Sequence, residues 1–173
     1  MSDGFGHERP GEGATNDWIS PEKLVRLLGQ FDLDPCESDS QPWPCATHGY
    51  RLGRGEDGLV LPWDGRVYLN PPYGPHVGKW AAKLKEHGNG ILLIFARTET
   101  KQWIPVWGGD GFLFPTGRAC FYLPDGTRAK SGTAPSVLIA YGQNNVDCLK
   151  NCGLAGAFFA GVEYREGVRI STL

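Results

Sequence analysis

No stretch of this 173-residue chain is long and apolar enough to read as a membrane span of about 20 residues. The strongest uncharged run is residues 91–96, and the blander run at residues 152–162 is also far too short. The first 17 residues are Gly-rich and acidic and lack the basic start and apolar centre of a secretion signal, which points to the cytoplasm. Length is also short of two domains at about 150 residues each, so residues 17–173 read as one domain and residues 1–16 as a flexible tail. Five cysteines are an odd count, which argues against a disulfide framework. Cys36 and Cys45 with His48, and Cys148 and Cys152 far away, do not reproduce the close-set ligand pairs of a zinc site. The thiols therefore read as structural or incidental and no metal is expected. There is no internal repeat.

What is present is a chain able to bury a core. Hydrophobic residues make up 40% and charged residues 21%, which excludes disorder beyond the ends. The net charge of -2 hides an asymmetry. Residues 1–64 hold 12 acids and 5 bases, and residues 65–173 hold 12 bases and 7 acids. A basic half is compatible with a polyanion bound on one side.

Local patterns place the elements. Ser20-Pro21-Glu22 reads as a helix start, with Ser20 as cap and Pro21 in the first helical position; Leu24, Leu27 and Leu28 mark its apolar face and Gly29 its left-handed stop. Residues 31–35 alternate like a short strand ended by Pro35. Residues 66–69 form a second strand that runs into Asn70-Pro71-Pro72-Tyr73-Gly74. Val77, Trp80, Ala81 and Leu84 then give a helical stripe closed by Gly88. Residues 91–95, apolar throughout, suit a central parallel strand and complete a βαβ unit. Residues 111–114, 119–123 and 137–141 read as strands between turn-rich loops, which suggests an antiparallel end to a mainly parallel sheet. From Asn144 onward helix and strand are not separable by pattern.

Asn70-Pro71-Pro72-Tyr73 at a strand end carries the most specific chemistry. Two prolines there make a rigid turn whatever else they do. Methyl transfer to an amine conjugated with an aromatic ring is hard because the nitrogen lone pair is delocalised into the ring. The Asn70 amide oxygen and the Pro71 carbonyl suit the amine's two hydrogens, favouring a pyramidal nitrogen whose lone pair is free. Tyr73 suits stacking on a flat base flipped out of a duplex. A sulfonium methyl donor needs no activated nucleophile, so no Ser/His/Asp or paired-carboxylate site is expected.

At this point the chain resembles phage-type DNA N-6-adenine methyltransferases of the Dam type, over residues 17–141. The similar segments, in order, are Asp17-Trp18-Ile19-Ser20-Pro21, Phe31-Asp32-Leu33-Asp34-Pro35-Cys36, Asp57-Gly58-Leu59 followed by Trp63, and Asn70 to Gly74. Ala96-Arg97-Thr98-Glu99-Thr100 with Trp103 and then Arg118-Ala119-Cys120-Phe121 complete the set. The resemblance implies an α/β, Rossmann-like S-adenosylmethionine-dependent methyltransferase fold, mainly parallel with an antiparallel C-terminal edge. It also implies double-stranded DNA as partner.

Roles follow from that resemblance. Asn70, Pro71, Pro72 and Tyr73 form the catalytic motif. Asp34 and Pro35 hold the cofactor, with Asp34 accepting its amino group, although a carboxylate there also caps the next backbone turn. Asp57 takes the cofactor's adenine amine, although Asp-Gly is also an ordinary turn. Trp18, Ser20 and Pro21 line the methionine end. Arg97, Thr98, Thr100 and Arg118 meet base or phosphate, while the charge asymmetry, not the resemblance, points to Arg128 and Lys130 as phosphate contacts. Phe121 or Tyr122 completes the stacking pocket, or else packs in the core.

The loop after Asp34 lacks the Gly-rich turn of many Rossmann sites. The connection to Asp57 leaves room for one short strand, and Glu37 and Asp39 are the candidates for the ribose hydroxyls. No separate recognition domain fits, so DNA reading falls to loops such as residues 97–103 and 124–135, or to the second subunit of a homodimer. Two other readings stand beside the first: a protein glutamine methyltransferase, whose substrate amide poses the same lone-pair problem, and a non-catalytic DNA- or cofactor-binding relic.

Overall fold

An uninterrupted apolar strand needs cover on both faces of its sheet, and residues 91–94 have it, each at most 1% exposed. In the computed structural model, which describes residues 18–129 and 134–167, that strand is the middle one of seven. The strands in chain order are β1 (Leu33–Asp34), β2 (His48–Gly49), β3 (Val67–Leu69), β4 (Gly90–Phe95), β5 (Gly111–Pro115), β6 (Ser136–Tyr141) and β7 (Gly156–Ala160). Across the sheet they run β2-β1-β3-β4-β6-β5-β7. Among the described residues three α-helices accompany them: α1 (Glu22–Leu27), α2 (Val77–His87) and α3 (Gln143–Asn151). The expected tail over residues 1–16 lies outside the described residues.

The chain is α/β, and β3, α2 and β4 form the expected βαβ unit, with β3 and β4 parallel. The sheet as a whole is mixed rather than mainly parallel. Pairs β1-β2, β1-β3 and β3-β4 are parallel, whereas β4-β6, β5-β6 and β5-β7 are antiparallel. A parallel return from β5 would need a crossover. The described part of that connection contains no helix, and β6 comes back antiparallel, inserted between β4 and β5.

Strand alternation sorts the core into two faces. Val67, Leu69, Leu92 and Ile94 pack on one face with α2 and with Trp103 and Val106. Tyr68, Ile91 and Leu93 pack on the other with Val25 and Leu28 at α1 and with Val146 and Leu149 of α3. The buried residues of α2 are Val77, Trp80, Ala81 and Leu84, the spacing of one helix face. Gly88 ends it at φ 74°, a conformation that favours glycine, with its N–H bonded to the Leu84 carbonyl. No helix among the described residues is long and apolar enough to cross a membrane.

Several local expectations need correction. Ser20 does not cap α1: Pro21 is the N-cap, in extended backbone, and no side-chain cap bond is made. The Ser20 hydroxyl is instead buried against Tyr68, whose hydroxyl lies 2.7 Å away. Val25 and Leu28 take the buried positions at α1, and Leu27, about 200° around the helix from Val25, turns outward and is 51% exposed. Residues 119–123 do not join the sheet. Tyr122 makes only isolated bridges to Ile19 and Arg128, so this segment serves residues 18–20 rather than the sheet. Beyond Asn144 the pattern resolves into the rest of α3 and the outer strand β7.

Candidate functional site

β1 and β3 lie side by side, but the chain leaves them in opposite directions, outward to β2 and inward to β4. In open α/β sheets the crevice beyond the carboxyl ends of such strands is where ligands settle. Asp34 closes β1, and Asn70 follows the last residue of β3. The two ends touch: the Cys36 thiol donates to the Asn70 carbonyl at 3.3 Å.

A cleft of about 310 Å³ opens beside this contact, in the lower part of the ~300–1,000 Å³ range of small-molecule sites. Its lining brings together Pro35, Asp57 and Pro72, drawn from three separate sequence segments, with Glu37, Asp39 and the Trp80 ring. The 57–61 turn is pressed against β1 so closely that a Cβ on Gly58 would sit 1.8 Å from the Pro35 carbonyl oxygen. Asp57 is exposed, and one of its oxygens accepts the Leu59 N–H at 2.9 Å. It therefore makes the turn expected of Asp-Gly while its second oxygen has no partner among the described residues. Glu37 pairs with Arg51 at 2.6 Å, and Asp39 accepts the Gly53 N–H at 3.2 Å. An acidic, aromatic-walled cleft suits a cationic ligand that carries amines and a flat ring.

Asp34 lies deeper, 4% exposed, and accepts the Cys36 N–H at 3.1 Å, so it caps the next turn. Burial pushes its carboxyl up to about 7, with the nearby Glu37 adding to the rise and the Cys36 N–H opposing it. An aspartate in the unfolded chain releases its proton near 3.8. The folded state thus binds more protons between those values, and stability falls as pH rises through that window and levels off above it. Asp34→Asn is uncharged throughout. Its melting temperature relative to wild type is expected to climb between about pH 4 and about pH 7 and stay flat above, in calorimetric scans. A difference independent of pH would show that Asp34 folds in as a carboxylate.

Asn70 is held from a distant part of the chain. Its amide nitrogen donates to the Trp18 carbonyl at 2.5 Å across 52 residues of sequence. Only a donor can face a carbonyl, so the amide is turned with its oxygen the other way, 3.5 Å from the Tyr73 hydroxyl. Tyr73 is half-buried and stacks on Phe95, with centroids 4.2 Å apart and planes 23° from parallel. Phe121 stands edge-on to both rings, at 6.3 Å from Tyr73 and 5.7 Å from Phe95, and meets Trp18 edge-on as well. Burial raises the Tyr73 hydroxyl well above its ordinary value, so it stays protonated. Phe121 is 2% exposed and forms the floor of this group rather than a free stacking face. Pro71 is buried and Pro72 exposed.

No family model, curated protein or solved structure matches this chain.

Of the other residues expected to meet base or phosphate, those described lie around the same edge. Arg97 and Thr98 are exposed just past β4, which is parallel to β3, so they share the strand-end edge with Asn70. Thr100 is half-buried, its hydroxyl donating to the Arg97 carbonyl at 2.9 Å. Arg118 and Arg128 are exposed on the 116–129 segment, which the Ile19-Tyr122 bridge fastens beside Trp18. Arg128 reaches the Cys120 sulfur at 2.6 Å. Lys130 lies outside the described residues. Trp18 and Ser20 act here through carbonyls and core packing: Ser20 accepts the Trp43 indole N–H at its carbonyl, and Pro21 is the N-cap of α1. Neither they nor Asp34 line the cleft described above.

Pattern reading missed Phe95 as the support of Tyr73, the Trp18 carbonyl as the holder of Asn70, and Lys83, whose ammonium donates to the Gly58, Leu59 and Leu61 carbonyls. Phe95 was detectable in principle as the last residue of the strand parallel to β3. The Trp18 carbonyl and Lys83 have no local signal, because a backbone acceptor and a helix-surface lysine look alike everywhere.

Proposed function

We propose that this chain is an S-adenosylmethionine-dependent DNA methyltransferase acting on the N-6 amine of adenine. The observation that carries the reading is convergence. Three segments nominated separately, at Pro35, at Asp57 and at Pro72 within the Asn-Pro-Pro-Tyr motif, wall one cleft at the strand ends. The acidic and aromatic lining fits a cofactor bearing a sulfonium, an amino group and an adenine; when bound it supplies an activated methyl group. The Rossmann-like assignment belongs to the same proposal, supported by parallel β2-β1-β3-β4 and by the crevice between β1 and β3.

The chain's own residues then do the positioning. The Asn70 amide oxygen and the Pro71 carbonyl accept the two amine hydrogens, which draws the nitrogen lone pair out of conjugation. The flipped adenine stacks on the outer face of Tyr73, because Phe95 covers the inner one. The charge asymmetry acquires a spatial meaning. Glu37, Asp39, Glu56 and Asp57 line the cofactor cleft, while Arg97, Arg118 and Arg128 face outward on the later segments, where phosphates would come.

Incubating purified protein with labelled S-adenosylmethionine and unmethylated duplex DNA is expected to put label on adenine N-6. Label on protein would instead select glutamine methylation, and measurable cofactor binding without any transfer would select the relic. Neutralising Arg128 and Lys130 together is expected to weaken DNA binding and reduce the salt slope by about 2, one for each phosphate that no longer meets a cation. An unchanged slope removes both residues from the interface.

A further inference from the structure

We propose that Lys83 is a positioning residue for the cofactor cleft, a strut on α2 that holds the 57–61 wall against β1. The inference rests on the methyltransferase reading of that cleft. A lysine on a helix normally keeps its ammonium in water, but Lys83 is half-buried and points its three donors at backbone. They reach the carbonyls of Gly58, Leu59 and Leu61 at 2.9, 3.1 and 2.6 Å. It makes no ion pair among the described residues; its partners are those three oxygens and the Trp63 ring, 4.9 Å away. Burial lowers its pKa, with Asp57 and Glu86 pulling the other way.

The three oxygens belong to one turn, in which the Asp57 carbonyl accepts the N–H groups of Val60 and Leu61. Converging carbonyls repel one another unless a cation sits between them. A compact ammonium with three rotatable donors fits that task, whereas a planar guanidinium directs its donors along a fork. Trp63 reinforces the same point. Its indole N–H donates to the Gly58 carbonyl at 2.7 Å, and its ring lies nearly parallel to Trp80, itself part of the cleft lining. Lys83 does not line the cleft. It acts through the turn that carries Asp57 and through the close approach of Gly58 to Pro35.

A strut of this kind affects cofactor affinity and leaves the reacting groups alone, since Asn70 and Tyr73 are held by Trp18 and Phe95 instead. The test is isothermal titration of wild type, Lys83→Met and Lys83→Arg with S-adenosylhomocysteine, together with turnover at saturating S-adenosylmethionine. Lys83→Met is expected to raise Kd and KM for the cofactor about tenfold while kcat stays within about twofold, and Lys83→Arg to fall between. Equal affinity of Lys83→Met and wild type overturns the strut. If Lys83→Met does not fold, Lys83→Arg carries the test, and wild-type affinity in that variant overturns the three-point fit. Wild type that binds neither S-adenosylhomocysteine nor S-adenosylmethionine overturns the methyltransferase reading and the strut with it. Tight wild-type binding with no effect at Lys83 overturns the strut alone.

Discussion

On the proposed methyltransferase reading, replacing Asn70 with alanine is expected to lower methyl transfer by about 10²–10³-fold or more, the scale for losing a preorganised polar group at a reacting atom. Cofactor affinity should stay close to wild type. The cleft is walled by Pro35, Asp57 and Pro72 and not by the Asn70 side chain, so truncation leaves the lining intact. The amide oxygen, by contrast, is removed outright, and in the wild type its orientation depends on the amide nitrogen being tied to the Trp18 carbonyl. The variant loses that tie as well. Trp18 nevertheless remains fixed by its neighbours, because Ile19 exchanges two backbone hydrogen bonds with Tyr122 at 2.8 and 2.9 Å. Single-turnover transfer measured beside cofactor titration separates the effects. Unchanged turnover in Asn70→Ala would remove the residue from the chemistry.

Gly58→Ala is expected to act on the other half of the site and on the fold at once. The added methyl would lie 1.8 Å from the Pro35 carbonyl oxygen and 2.8 Å from its carbon, both backbone atoms that cannot swing aside. Relief requires the 57–61 turn to leave β1, and Lys83 and the Trp63 indole resist that by holding the same residue's carbonyl. Overpacking of this kind costs about 1–3 kcal/mol, occasionally more. On the proposed reading the separated walls should also bind cofactor more weakly, about fivefold for each 1 kcal/mol lost from binding, since about 1.4 kcal/mol is a factor of ten. Denaturant unfolding and calorimetric titration read the two losses. An alanine variant as stable as wild type would mean that the turn rests on β1 less tightly than these distances require.

Some of this was readable from the order of residues. The apolar run of β4 announces a strand covered on both faces, the stripe from Val77 to Leu84 announces the buried side of α2, and Gly88 announces its end. The motif Asn70 to Tyr73 stands out because two prolines directly after a strand are locally decisive, and Asp57 followed by glycine announces a turn. Elsewhere local grammar was misleading. Ser20-Pro21-Glu22 has the form of a capped helix start, yet a buried tyrosine hydroxyl on β3 competes for the serine and wins. Residues 119–123 have the composition of a strand, yet their partner is the segment at Ile19 and not the sheet.

Periodicity, proline placement and turn chemistry act over a few residues, so they were enough to specify α2, β3, β4 and the rigid motif at a strand end. The site is assembled across much greater separations. Asn70 takes its orientation from Trp18, Tyr73 takes its support from Phe95, the 57–61 turn is held by Lys83, and β6 enters between β4 and β5. Each of these depends on which surfaces the packed sheet and helices bring within hydrogen-bonding or ring-stacking distance. A carbonyl, a phenyl ring or an ammonium carries no mark along the chain of the distant partner it will meet, and that pairing is chosen by the packing alone.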